Sequence, residues 1–240
     1  TPGCGINLER EKLMANSELT GKSILITGGT GSFGKEFIKH CLDELNPARL
    51  AVYSRDELKQ YELKNFFGNN PKIRWFIGDI RDRERLTRAM HGVQYVVHAA
   101  ALKQVDTAEY NPFEYIQTNI IGSQNVVEAA IDAGVLKVVA LSTDKASSPL
   151  NLYGATKLAA DKLFQSANHY ASGHVTRFSV VRYGNVMGSR GSVVPFWKKL
   201  AEEGKPLPIT SNEMTRFWIM LPEAVKFVVE SFETMQGGEI

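Results

Sequence analysis

The sequence predicts an α/β fold, a doubly wound parallel sheet, on three observations. Short apolar runs without polar alternation recur along the chain, as strands buried on both faces require. Helical segments separate them, so strand and helix alternate. A glycine-rich turn joins the first run to the first helical segment, which is the context of a dinucleotide-binding turn.

In order, the expected strands are 24–27, 50–53, 73–77, 95–101, 138–141 and 178–182, with helices that include 36–45, 83–90 and 115–133. Right-handed crossovers put the loops after the strands along one edge, where ligands bind. The expected division is a leader at 1–19, a dinucleotide-binding domain at 20–186, and a partial substrate-binding region at 187–240 interleaved with it. Met14 reads as a native start, and residues 1–13 as vector-derived or an upstream extension. Gly237 to Ile240 reads as a turn entering a strand, so further chain is expected beyond it.

Composition excludes several classes. A chain of 240 residues, 43% hydrophobic and 22% charged, is globular and buries a real core. A net charge of +2 argues for neither nucleic acid nor an anionic membrane surface as partner. No apolar stretch reaches the length of a membrane span, and no secretory signal pattern is present. Cys4 and Cys41 have no metal or redox spacing, so no metal is expected and a cytoplasmic location fits.

The glycine turn reads Thr27-Gly28-Gly29-Thr30-Gly31-Ser32-Phe33-Gly34. Glycines permit a tight turn and let a pyrophosphate approach a helix N-terminus, although a glycine run also makes bland turns. The second strand ends in Tyr53-Ser54-Arg55-Asp56. Ser54, Arg55 and Lys59 together suit a 2′-phosphate, which favours NADP over NAD. Arg55 as a solvated charge is the alternative, and Asp56 is either a ribose ligand or a helix N-cap. Asp79 either accepts from an adenine amino group or caps the helix beginning near Arg83.

The most informative stretch is Ser142-Thr143-Asp144-Lys145, followed closely by Tyr153-Gly-Ala-Thr-Lys157. Tyr153 and Lys157, at i and i+4, share a helix face. A cation beside a phenol lowers its pKa and makes it a base for a sugar hydroxyl. Thr143-Asp144-Lys145 adds an acid/base pair that alcohol oxidation alone does not need. By itself, a solvated Lys145–Asp144 pair is the plainer reading. His98 reads as a core histidine. Ala155, Leu158, Ala159 and Leu163 make an apolar stripe, most simply core.

The glycine turn, His98-Ala-Ala-Ala101, Asn119 and Tyr153…Lys157 resemble the extended short-chain dehydrogenase/reductase family, a Rossmann fold. Within it, SRDELKQ (54–60), HAAALKQV (98–105), EYNPFEYIQTNIIGSQNV (109–126), STDKASSPLNLYGATK (142–157), RYGNVMGSRGSVVPF (182–196) and MTRFW (214–218) resemble the inverting UDP-N-acetylglucosamine 4,6-dehydratases of the pseudaminic acid pathway. The resemblance covers residue 20 to the end, and proteins of that subfamily continue past the equivalent of Ile240. Thr143-Asp144-Lys145 differs from the Thr-Asp-Glu of dTDP-glucose dehydratases. Tyr153 differs from the Met typical of membrane-anchored UDP-GlcNAc dehydratases.

The resemblance implies a mechanism. Tyr153, assisted by Lys157, takes the C4 hydroxyl proton while NADP⁺ accepts the C4 hydride. Lys145 takes the C5 proton, Asp144 protonates the departing C6 hydroxyl, and Thr143 hydrogen-bonds the C4 oxygen. Hydride returns to C6, C5 inverts, and the tightly bound cofactor is recycled each turn. Implied cofactor contacts are Gly28, Thr30, Gly31, Ser32, Phe33, Gly34, Ser54, Arg55, Lys59, Asp79, Ile80, Ala99, Lys103, Tyr153 and Lys157. Implied UDP-GlcNAc contacts are Lys103, Thr118, Asn185, Val186, Arg190, Val193 and Arg216. Arg190 and Arg216 match pyrophosphate oxygens, with structural roles as the alternative. A homo-oligomer is expected, and the resemblance implies that the helix carrying the Ala155–Leu163 apolar stripe often forms subunit interfaces. Alternatives are another UDP-sugar dehydratase or epimerase of the family, or a non-catalytic NADP-binding sensor on the same fold. The retained Tyr153/Lys157 pair argues against the sensor.

Overall fold

A computed structural model describes residues 17–171, 173–188, 193–209 and 211–240. The expectations for Met14 and residues 1–13 lie outside them. Strands β1 (Ser23–Thr27), β2 (Arg49–Ser54), β3 (Ile73–Ile77), β4 (Tyr95–His98), β5 (Lys137–Thr143) and β6 (Arg177–Tyr183) form one parallel sheet in the order β3-β2-β1-β4-β5-β6. The order reverses between β1 and β4, where Thr27 sits opposite His98. The crevice at the carboxyl ends of a doubly wound sheet opens at such a reversal. Beyond β6, two short strands pair with each other, β7 (Asn185–Val186) and β8 (Trp218–Ile219).

The helices are α1 (Ser32–His40), α2 (Glu57–Phe67), α3 (Arg83–Met90), α4 (Val105–Tyr110), α5 (Pro112–Tyr115), α6 (Gly122–Asp132), α7 (Leu152–Tyr170), α8 (Val193–Glu202) and α9 (Leu221–Thr234). The period-two pleat sends alternate strand residues into two cores. Ile24 and Ile26 pack with Phe37 of α1, Leu63 of α2 and Phe232 of α9. Leu25 packs with Met90 of α3, Val126 of α6 and Phe164 of α7. Phe232 is fully buried and meets Tyr95 edge-on at 5.7 Å. Burying a side chain of this size contributes about 1.5–3 kcal/mol.

Several boundaries differ from expectation for identifiable reasons. The fourth strand ends at His98, not residue 101, because the chain there leaves the sheet to wall the glycine turn. Ala100 N–H donates to Thr27 Oγ1 at 3.2 Å, and a Cβ on Gly28 would lie 2.8 Å from the Ala100 backbone. The helix expected at 36–45 starts earlier, at Ser32, and finishes in a π turn, Cys41–Leu45, closed by Asn46 at φ 47°. The helix expected at 115–133 begins at Pro112 and passes through a π turn, Ile116–Ile121, before α6. Ordered packing also begins before residue 20. Leu19 is fully buried, and Glu18 accepts from Lys137 Nζ at 2.6 Å.

Two further expectations are corrected. The core face of α7 is Ala160, Phe164 and Ala167, whereas Ala155 is exposed and Leu158, Ala159 and Leu163 only half-buried. The apolar stripe sits to one side of the face that meets the sheet. Asp82, not Asp79, caps α3 by accepting from Arg85 N–H at 2.9 Å. At the other end, Gly238 N–H donates to Phe178 O and Val180 N–H donates to Glu239 O, so the last residues lie along β6.

Candidate active site

A cleft of about 1000 Å³ runs along the carboxyl edge of the sheet across the β1/β4 reversal. The glycine turn forms one end. A Cβ on Gly34 would lie 2.3 Å from Gly29 O, so this position needs glycine for the turn to close. Helix α1 has no side-chain N-cap, and its first turn, Gly31 to Gly34, lines the cleft. Backbone N–H groups presented in this way suit a pyrophosphate, so these residues fit the dinucleotide that the sequence implies.

Next along the edge, Ser54, Arg55, Lys59, Asp79 and Ile80 all line the cleft. Asp56 is the N-cap of α2, accepting from Lys59 N–H at 3.0 Å, and pairs with Lys59 Nζ at 2.7 Å. Arg55 reaches Asp79 at 3.4 Å, while Asp79 also takes Arg81 Nη2 at 2.8 Å. Burial pushes the Asp79 carboxyl up, but the Arg81 and Arg55 cations outweigh it and hold it below the usual range. Ser54 Oγ is buried and accepts from Gln60 Nε2 at 2.9 Å.

The middle of the cleft holds the reactive groups. Thr143 ends β5, and a 3₁₀ turn, Asp144–Ala146, follows it. A Cβ on Gly154 would lie 2.4 Å from Lys145 O, so glycine lets the start of α7 close against this turn. Thr143 Oγ1 donates to Asp144 Oδ1 at 2.9 Å, and Lys145 Nζ donates to Asp144 Oδ1 at 3.1 Å and to Asn185 Oδ1 at 3.1 Å. Burial raises the Asp144 carboxyl, yet the hydrogen bonds from Lys145 and Thr143 prevail and hold it low.

Tyr153 and Lys157 line the same cleft, but their electrostatics differ from expectation. Burial pushes the Tyr153 phenol up to about 12, against a hydrogen bond to Thr143 that lowers it. Lys157 does not offset this, because its Nζ donates to Leu141 O at 2.7 Å. Burial lowers Lys157 itself to about 8, opposed by the Asp161 carboxylate. Asp161 is buried and salt-bridged to Arg182 at 2.8 Å.

Thr30, Ala99, Lys103, Thr118 and Val186 also line the cleft, and burial lowers the Lys103 amine. Val193 opens α8 outside the lining. Arg216 is exposed, donating to Thr215 O at 2.7 Å, and is also outside it. Arg190 lies outside the described residues. His98 is a satisfied core histidine. Ser123 Oγ donates to Asn119 O, so it accepts from Nε2–H, while Nδ1 accepts from Thr27 Oγ1 at 2.8 Å. Burial, then Lys157, lowers His98 to about 3.

Among the lining residues to which the sequence reading gave no role are Tyr183 and Ser142. Tyr183 stands beside Thr143 in the β5–β6 register, and burial raises its phenol. Ser142 lines the cleft with a buried hydroxyl that has no partner among the described residues, as does Thr118. Tyr183 lay within a quoted motif, but only the strand register shows what it faces. Among the described residues, no cluster of His, Cys, Asp and Glu could hold a metal, and no helix is long and apolar enough to cross a membrane.

A Rossmann sheet with a glycine turn at its reversal and Tyr153/Lys157 beside it defines an extended short-chain dehydrogenase/reductase. The chain belongs to the polysaccharide biosynthesis protein family, whose model matches residues 24–240. It is 62% identical over 221 residues to a UDP-N-acetylglucosamine 4,6-dehydratase (inverting) of Campylobacter jejuni subsp. jejuni serotype O:23/36 (strain 81-176), covering 92% of this chain and 66% of that protein. The chain thus spans just under two thirds of that relative's length. Among solved structures, Pen from Bacillus thuringiensis superposes with a TM-score of 0.88 at 44% identity, over 92% of this chain and 70% of that one. The dTDP-glucose 4,6-dehydratase DesIV from Streptomyces venezuelae, with NAD and TYD bound, gives a TM-score of 0.79 at 27% identity, over 91% and 74% of the two chains.

Proposed function

We propose that this chain carries the catalytic machinery of an NADP-dependent UDP-N-acetylglucosamine 4,6-dehydratase that inverts C5. One observation carries the reading: a second acid/base pair, Lys145–Asp144, shares one cleft with Tyr153 and Lys157. Oxidation needs only the tyrosine. Elimination of water needs a base at C5 and an acid at the C6 hydroxyl as well. A bound nicotinamide dinucleotide supplies hydride acceptance and return.

The residues divide the work. Tyr153 accepts the C4 hydroxyl proton only as the phenolate, a form that the positive charge of a bound oxidised nicotinamide would favour, and the resulting 4-keto group acidifies C5. Lys145 acts as base only when its amine is neutral, and Asp144 acts as acid only when protonated. One proton passing from Lys145 Nζ to Asp144 Oδ1 along their 3.1 Å hydrogen bond puts both in working form together. Lys145 then removes the C5 proton and Asp144 protonates the C6 hydroxyl as it leaves. Reprotonation of C5 from the opposite face inverts it.

The finer parts of this reading are a cytoplasmic homo-oligomer, a product that feeds pseudaminic acid synthesis, and NADP in preference to NAD. Arg55 and Lys59 support the NADP preference, since Arg55 follows β2 and Lys59 lies in the first turn of α2, both lining the cleft where a 2′-phosphate would draw them from Asp79 and Asp56. Arg55→Ala is expected to weaken NADP by about 1.5–3 kcal/mol, roughly ten- to a hundred-fold, and NAD far less. Titration of both nucleotides by cofactor fluorescence checks it, and equal losses would remove Arg55 from the 2′-phosphate site.

Incubation of the protein with UDP-N-acetylglucosamine and NADP⁺ tests the whole reading. The expected product is lighter by one water, and its NMR spectrum shows inverted C5. A product of unchanged mass epimerised at C4 would establish the epimerase instead.

A further inference from the structure

We infer that Asn185 is a positioning residue for Lys145, holding the amine in the direction that proton removal from C5 requires. The inference rests on the dehydratase reading above, and it deepens that reading by adding a residue that separates the elimination step from oxidation.

Lysine is poorly suited to hold one direction. Its amine rides on a long flexible stem with large rotamer entropy. Asp144 is the neighbouring residue in sequence, about one third exposed like Lys145 itself, and such pairs hold geometry weakly. A second acceptor from a remote part of the chain changes this. Asn185 Oδ1 takes Lys145 Nζ at 3.1 Å, matching the 3.1 Å contact to Asp144, so two acceptors from different elements fix the amine between them. Because the amine donates, the amide must present its oxygen to it. The amide NH₂ then has no hydrogen-bond partner among the described residues. Asn185 lines the cleft, so that NH₂ group remains available to a substrate oxygen.

The backbone shows how Asn185 reaches this place. Asn185 N–H donates to Phe217 O at 2.8 Å, and Met187 N–H donates to Ile219 O at 3.0 Å, which are the bonds of the β7–β8 pair. The preceding residue makes that approach feasible. A Cβ on Gly184 would lie 2.3 Å from Phe217 O, closer than any side chain tolerates. Glycine at 184 lets β8 come in, β8 holds the Asn185 backbone, and the Asn185 side chain holds Lys145. The glycine in RYGNV is therefore tied to the chemistry at Lys145 without touching it.

The test separates two half-steps in the intact protein supplied with UDP-N-acetylglucosamine. Reduced-cofactor absorbance reports oxidation at C4, and solvent-deuterium incorporation reports proton removal at C5. Asn185→Leu, nearly isosteric and without an acceptor, is expected to lower the ratio of exchange to cofactor reduction by roughly ten- to a hundred-fold, the scale of a small misplacement of a catalytic group. Asn185→Ser, which shortens the side chain at this half-buried position, is expected to lower the same ratio if the leucine variant folds poorly. Gly184→Ala is expected to act in the same direction with the asparagine still present. An unchanged ratio in a folded Asn185 variant would overturn the inference. So would equal losses in both steps, which is the signature of a purely structural or substrate-holding residue. If the parent protein itself neither reduces cofactor nor exchanges C5, the dehydratase reading fails first, a distinguishable result.

Discussion

Lys145→Met is expected to release little 4-keto-6-deoxy product while still reducing its cofactor when mixed with UDP-N-acetylglucosamine. The substitution removes the C5 base and leaves Tyr153 and Lys157 in place, so oxidation proceeds and elimination stalls. General-base contributions are typically on the order of a hundred- to ten-thousand-fold, so the loss is large enough to see by product mass. The same variant tests the plainer reading. Lys145 and Asp144 are each about one third exposed. Breaking such a pair costs only about 0–1 kcal/mol of stability, so the protein still folds. A Lys145→Met protein that dehydrates at the parent rate would make this pair a surface ornament and remove the proposed elimination mechanism.

Tyr153→Phe is expected to keep the fold and its nucleotide and to lose solvent-deuterium incorporation at C5. The C5 proton becomes acidic only after the 4-keto group forms, so blocking oxidation blocks every later step. The hydroxyl removed makes a hydrogen bond to Thr143, and losing one such bond costs about 1 kcal/mol, too little to unfold the chain. The contrast with Lys145→Met lies in the cofactor, which should stay oxidised in the tyrosine variant and become reduced in the lysine variant. Undiminished exchange in Tyr153→Phe would show that another group takes the C4 proton. Tyr183, half-buried in the same cleft and close enough to Tyr153 to influence it electrostatically, is the first to examine.

The raised Tyr153 phenol corrects a sequence-based expectation. Spacing at i and i+4 places Lys157 on the same helix face as Tyr153, and that much was legible. The direction taken by a long side chain is not a property of spacing. Lys157 Nζ goes to Leu141 O, a backbone carbonyl on β5 that only the packing of α7 against the sheet brings within reach. With that bond made, burial dominates both groups, raising the phenol and lowering the amine.

Local pattern determined most of the architecture. All six strands of the main sheet lie at the apolar runs that predicted them; five carry the mark of burial on both faces, while β3, at the sheet edge, exposes Arg74 and Ile77. The glycine turn was equally legible, since Gly28 at φ 67° and the crowded Gly34 meet needs that no other residue meets. Element ends were decided by partners far off in sequence. The fourth strand stops at His98 because Ala100 turns to Thr27, and the core face of α7 follows the sheet beneath it rather than its most apolar stripe.

The sequence by itself determined the fold class, the nucleotide turn and the reactive residue types, because each rests on short-range spacing and backbone chemistry. Only the tertiary structure decided which of those groups face one another. Asn185 meets Lys145 through a strand pair that depends on Gly184 and Phe217, and Arg216 lies outside the cleft lining despite its suitable chemistry. The physical reason is that hydrogen bonds and desolvation act through space over a few ångströms, and the residues brought that close come from chain segments that no local pattern connects.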